Sequence, residues 1–163
     1  MIFCSVSAYH TMPSPEDVDK LASASIPSSN DFPGFHSFSW DTQSCATELT
    51  PKLVLKMFHE LGFVKKYQIP HRPLCHFILS IIEGYRSVPY HNWRHAFSVA
   101  HSMYAIAMTV QLEKYFHPHE VFGLFVACLC HDIDHRGRNN GEIGSRLNFV
   151  VFVFIFVPPV NCF

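Results

Sequence analysis

Apolar residues between positions 50 and 130 recur at spacings of three and four, the pattern of helices that bury one face. Leu53, Val54, Met57, Phe58 and Leu61 form one such stripe, opened by Thr50-Pro51 and closed by Gly62. This predicts a helix with Thr50 as its cap and proline in its first turn. Leu74, Phe77, Ile78, Ile81 and Ile82 predict a second helix over 73–82, with Gly84 as its stop. Trp93, Ala96, Phe97, Ala100, Met103, Tyr104 and Ala107 predict a third over 92–112. Between His119 and Cys130, the segment Val121–Leu129 is apolar on all sides and predicts a helix buried in the middle of a bundle. No segment before residue 148 alternates as a strand does, so the expected class is all-α.

The flanks read differently. Residues 1–47 carry Met12-Pro13-Ser14-Pro15, Ile26-Pro27-Ser28-Ser29-Asn30 and Phe32-Pro33-Gly34, a density of breakers that excludes long helices. A loose leader is expected there, with one short helix around Glu16–Ala24. Residues 48–146 form the helical unit, and 147–163 a divergent apolar tail. Phe149–Val157 in that tail is an uncharged run of β-branched and aromatic residues, too short for a membrane span and suited to a buried or aggregation-prone strand.

The 163 residues, 48% of them hydrophobic, suffice for one domain with a core. Twelve lysines and arginines against 13 acidic residues offer no general attraction to nucleic acid or to an anionic membrane. An anionic ligand must therefore be held by a local site. The six cysteines contain no CxxC pair, which points to reduced thiols in the cytoplasm, and the opening MIFCSVSAYH lacks the basic start and sustained apolar run of a signal peptide.

Two histidine-bearing segments carry candidate chemistry. His91 and His95 lie four apart at the start of the third helix, with Ser98 and Ser102 continuing the line and leaving room for a ligand. Alone, such a pair is a weak signal that reads more readily as surface or capping histidines. His131-Asp132-Ile133-Asp134-His135 follows the apolar helix, where an unpartnered buried carboxylate would cost several kcal/mol, so the cluster requires a cation or a dense hydrogen-bond network. Two readings stand: a metal site, or aspartates capping a turn beside solvated histidines. On the first, His95, His131 and Asp132 supply a nitrogen and oxygen donor set suited to Zn2+. Asp132 could also bridge a second, harder ion such as Mg2+ or Mn2+. Two such ions fit hydrolysis of a phosphate ester, with His91 beside them as general acid.

Val88-Pro89-Tyr90-His91-Asn92-Trp93-Arg94-His95-Ala96-Phe97-Ser98-Val99 and Cys128-Leu129-Cys130-His131-Asp132-Ile133-Asp134-His135-Arg136-Gly137 closely resemble, in order and separation, two signature stretches of class I cyclic nucleotide phosphodiesterases. Phe58-His59-Glu60-Leu61-Gly62-Phe63 and Gly84-Tyr85-Arg86 resemble the first helices of that catalytic domain, and the wording around His91 is most like the cGMP-stimulated dual-specificity type. The resemblance implies an incomplete helical bundle of the HD type and hydrolysis of the 3′ phosphoester bond of cAMP or cGMP to the 5′ monophosphate. It implies His91 as general acid and His95, His131 and Asp132 as zinc ligands, with Asp132 bridging to magnesium. His135 would hydrogen-bond to water on the second metal, and Tyr90 and Asn92 would shape the site.

In the family a further zinc ligand and the purine-clamping residues come later, whereas here the resemblance stops near Asn140. The expectation is therefore of a truncated domain with no turnover on its own, free to self-associate or to join full-length subunits. The alternatives are a non-catalytic metal-binding fragment and another HD-type nucleotide phosphohydrolase.

Overall fold

A computed structural model of the chain describes residues 12–137. The divergent tail and the end of the predicted helical unit lie outside these residues. The described chain has no strand, in agreement with the all-α expectation. Its helices are α1 (Pro15–Ser23), α2 (Thr50–Glu60), α3 (Phe63–Lys66), α4 (His71–Gly84), α5 (Trp93–Val110) and α6 (Pro118–Cys130), with single 3-10 turns at Thr47–Leu49 and Leu112–Lys114.

The predicted stripes become the core. α2 packs on α4 and α5, and α5 packs along α6. Leu53, Met57, Phe58, Phe63, Ile78, Ile81, Phe97, Tyr104, Phe125 and Leu129 are fully buried between them. Gly62 turns the chain from α2 into α3 at φ 73°, a left-handed conformation that glycine adopts without Cβ strain.

Several details depart from expectation. Thr50 does not cap α2 but is its first residue. Its buried hydroxyl donates to Thr47 O at 2.7 Å and accepts from Trp93 Nε1 at 2.7 Å, tying α2 to α5. α6 is not buried all round: Val121, Phe125 and Leu129 line one buried face, while Leu124 is exposed. The fourfold spacing of those three shows a single apolar stripe that the surrounding apolar residues conceal in the sequence.

The segment expected as a loose leader is packed over its described part. Its short helix appears as α1, capped by the Ser14 hydroxyl accepting from Asp17 N at 3.0 Å, and buries Val18 and Leu21 against α4. Beyond it, Phe35 is completely buried, its ring 5.0 Å from both Trp40 and His101 and 5.3 Å from Tyr104. His101 Nε2 donates to Phe35 O at 2.8 Å. Lys56, 4% exposed, pairs with Glu60 at 2.8 Å and donates to Pro27 O and Ser29 Oγ. Glu60 also accepts from the Tyr104 hydroxyl. Breakers exclude helix here, but they do not prevent a coil from burying an aromatic ring once its carbonyls are satisfied by donors from the helices.

Candidate metal centre

The site is assembled from two helix ends. At the start of α5, Asn92 is the N-cap: its side-chain oxygen accepts from His95 N at 3.1 Å, and its Nδ2 donates to Val88 O at 2.9 Å. The cap thus fixes the backbone at His95 directly. His91 lies one residue before the cap, outside the helix, so helical spacing is not what joins it to His95. The two rings nevertheless lie 5.8 Å apart, and Tyr90, largely exposed, covers both at 4.9 and 4.8 Å. The hydroxyls expected to flank a ligand are engaged within the protein. The Ser98 hydroxyl bonds to Arg94 O and Thr42 Oγ1, and that of Ser102 donates to Ser98 O.

At the end of α6 the last carbonyls need donors from outside the helix ladder. Cys128 O accepts from His131 Nδ1 at 2.9 Å, Leu129 O from the Tyr85 hydroxyl at 2.9 Å, and Cys130 O from Ile133 N at 3.2 Å. The first of these bonds sets a tautomer: with Nδ1 donating, Nε2 of a neutral His131 carries a lone pair. That atom lies 3.2 Å from His95 Nε2 and 3.0 Å from Asp132 Oδ2, and His95 Nε2 is 3.5 Å from the same oxygen. Burial lowers the pKa of His95, and His131 and His91 lower it further against the opposing charge of Asp132.

Three potential ligand atoms therefore converge from two helices, and Asp132 Oδ2 is buried with no hydrogen-bond partner. Such an orphaned acceptor is costly, and a divalent cation relieves it. The residues fit a metal. A second trio, His91, Asp132 and His135, also brings ligand atoms within 4.8 Å of one another, so Asp132 is common to both groups. The His91 and His135 ring centroids lie 3.9 Å apart, with the planes tilted by 31°. His135 Nδ1 accepts from Gly137 N at 3.0 Å, leaving Nε2 as the protonated nitrogen of the neutral ring.

Asp134 stands apart from the donors. It adopts a left-handed φ of 62°, donates its N–H to Gly84 O at 3.0 Å and pairs with Arg86. Tyr85 touches the turn as well, its hydroxyl accepting from Asp132 N at 3.3 Å, and burial raises its pKa so that it remains a donor to Leu129 O. Sequence reasoning gave no role to Tyr85 or Arg86. The available signals were their adjacency to a helix-ending glycine and the family resemblance of Gly84-Tyr85-Arg86. A cleft of about 690 Å3 near Glu60, Met108 and Gln111 lies at the other end of α5 and shares no residue with this cluster.

Comparison with known proteins finds relatives over the same stretch. The family model for 3'5'-cyclic nucleotide phosphodiesterase matches residues 90–142, which contain every donor described. Over that stretch the chain is similar to the cyclic nucleotide phosphodiesterase family. Over 133 residues, 82% of this chain, it is 40% identical to proteins named cGMP-specific 3',5'-cyclic phosphodiesterase from Drosophila melanogaster, Drosophila yakuba and Drosophila ananassae. The chain spans 11–12% of the length of these phosphodiesterases. Their name differs from the cGMP-stimulated dual-specificity type suggested by the wording around His91. Among the described residues, no helix is long and apolar enough to cross a membrane.

Proposed function

We propose that residues 90–135 supply the metal-binding and proton-donating part of a site that hydrolyses the 3′ phosphoester bond of a cyclic nucleotide. The observation that carries this reading is the orphaned Asp132 Oδ2 facing the Nε2 atoms of His95 and His131. Those three side chains would hold Zn2+, and Asp132, shared with the His91 and His135 group, would reach Mg2+ or Mn2+. Cations bound there would neutralise phosphoryl charge and activate water.

The remaining chemistry belongs to the chain's own side chains. His91 is not needed in the first donor set and sits against His135, so its imidazolium is placed to give a proton to the departing O3′ as the P–O3′ bond breaks. The resulting product is the 5′ monophosphate. His135, oriented by Gly137 N, presents its Nε2–H as a hydrogen-bond donor beside that centre. Tyr90 and Asn92 act on the same region, one by covering the rings and the other by capping α5.

The relatives' names favour cGMP as the nucleotide. The free thiols of Cys45, Cys75, Cys128 and Cys130 support a reducing, cytoplasmic setting. The exposed Ile106, Val110, Tyr115 and Phe116 support association with a further subunit.

The test is zinc uptake by the purified full chain, followed with a competing chelator at pH 8. One equivalent should bind and be lost in His95→Ala and Asp132→Ala. Absence of uptake, or uptake undiminished in both variants, would sink the reading. Cyclic GMP hydrolysis assayed alongside, with and without Mg2+, should vanish in His91→Ala wherever the parent shows it.

A further inference from the structure

The turn that carries Asp132 is held from the end of α4 by three consecutive residues. Gly84 O accepts from Asp134 N at 3.0 Å, and Arg86 pairs with Asp134. Between them, the Tyr85 hydroxyl donates to Leu129 O at 2.9 Å and accepts from Asp132 N at 3.3 Å. If α6 continued, Leu129 O would receive the N–H of Ile133. Instead Ile133 N turns back to Cys130 O, and the tyrosine oxygen fills the opened gap between an orphan carbonyl and an orphan amide. A packed Trp93 ring, 6.0 Å from that of Tyr85, fixes the phenol against α5.

We propose that Tyr85 is a positioning residue of the metal centre: its hydroxyl, inserted between Leu129 O and Asp132 N, sets the turn so that the Asp132 carboxylate faces His95 and His131. Without the hydroxyl, Leu129 O and Asp132 N lose a shared partner, and the turn can relax toward a further helical residue, which swings the carboxylate away from the imidazoles. Gly84 serves the same geometry, because a Cβ there would meet Ile133 Cγ2 at 3.2 Å. The inference rests on the metal-binding reading of Asp132.

The experiment compares the full chain with Tyr85→Phe and with Tyr104→Phe, which also deletes a buried hydroxyl but lies away from the donors. Zinc affinity should fall about 10- to 100-fold in Tyr85→Phe, the range seen when an outer partner of a metal ligand is removed. In Tyr104→Phe it should stay within twofold of the parent, although both variants lower the metal-free melting temperature. Hydrogen exchange on the metal-free parent should show the Asp132 amide protected although it lies beyond α6. Parent-like zinc affinity in Tyr85→Phe, an equal loss in both variants, or an unprotected Asp132 amide in the parent overturns the proposal. A parent that binds no zinc removes the metal centre and this inference together, whereas zinc binding insensitive to Tyr85→Phe removes this inference alone.

Discussion

Replacing Asp132 by asparagine should stabilise the metal-free protein while removing its response to metal. In the parent, Oδ2 is buried without a hydrogen-bond partner and faces Nε2 of His131 at 3.0 Å and of His95 at 3.5 Å. An unsatisfied buried acceptor costs about 1–3 kcal/mol. A negative charge beyond a helix C-terminus adds about 0.3–1 kcal/mol of unfavourable interaction, and Asp132 follows α6 directly. An asparagine amide can donate to one of the imidazole lone pairs and carries no charge. A net gain of about 1–2 kcal/mol follows, or roughly 3–8 °C in melting temperature for a domain of this size. Zinc at a hundred times its Kd would stabilise the parent by about 2.7 kcal/mol and leave the variant unmoved. The order of stability therefore inverts on adding metal. Thermal melts by circular dichroism at pH 8, in chelator and then in zinc, read both arms. If Asp132→Asn melts below the parent in chelator, the carboxylate is not a liability in the empty site. If zinc raises both proteins equally, Asp132 is not a ligand.

Two further outcomes are expected. Burial depresses the pKa of His101, opposed by its bond to Phe35 O, so between the folded value and the ordinary value of about 6.5 the unfolded chain binds more protons. That contribution to stability is present above about pH 6.5 and is lost as the pH falls through the folded value. Urea midpoints should therefore drop between pH 7.5 and 5, with a shallower drop in His101→Gln; an unchanged slope would refute the assignment. Arg94→Ala removes donors to Gln43 O at 2.8 Å, Cys45 O at 3.0 Å and Thr47 Oγ1 at 2.8 Å, and should cost about 1–3 kcal/mol in urea unfolding, with faster amide exchange over residues 42–47. Unaltered exchange there would show that contacts other than those of the guanidinium, such as the bonds of Thr42 and Gln43 to Ser98, hold the segment to α5.

The helices were legible because their signal is local. A stripe such as Leu74, Phe77, Ile78 and Ile81 repeats within one element, and any partner surface that buries it yields the same helix. The candidate donors could be named for a related reason: an imidazole and a carboxylate adjacent at a helix end restrict the chemistry before their neighbours are known. Where this reasoning failed, the deciding partner was remote. Breakers between Pro27 and Ala46 signalled coil correctly but were silent about packing, because the groups that satisfy that coil, Lys56, Arg94 and His101, lie on α2 and α5. Thr50 has the composition of a cap, yet Trp93 claims its hydroxyl.

The sequence by itself thus determined an all-α class, the positions of the long helices and the residue types able to hold a cation. Only the tertiary structure decided that His91 stands outside α5, that His131 turns its Nε2 lone pair inward, and that the Asp132 amide meets a hydroxyl 47 residues away along the chain. The physical reason is that periodicity reports which face a helix buries, whereas the direction of a single lone pair depends on which distant donor satisfies the last carbonyls of α6.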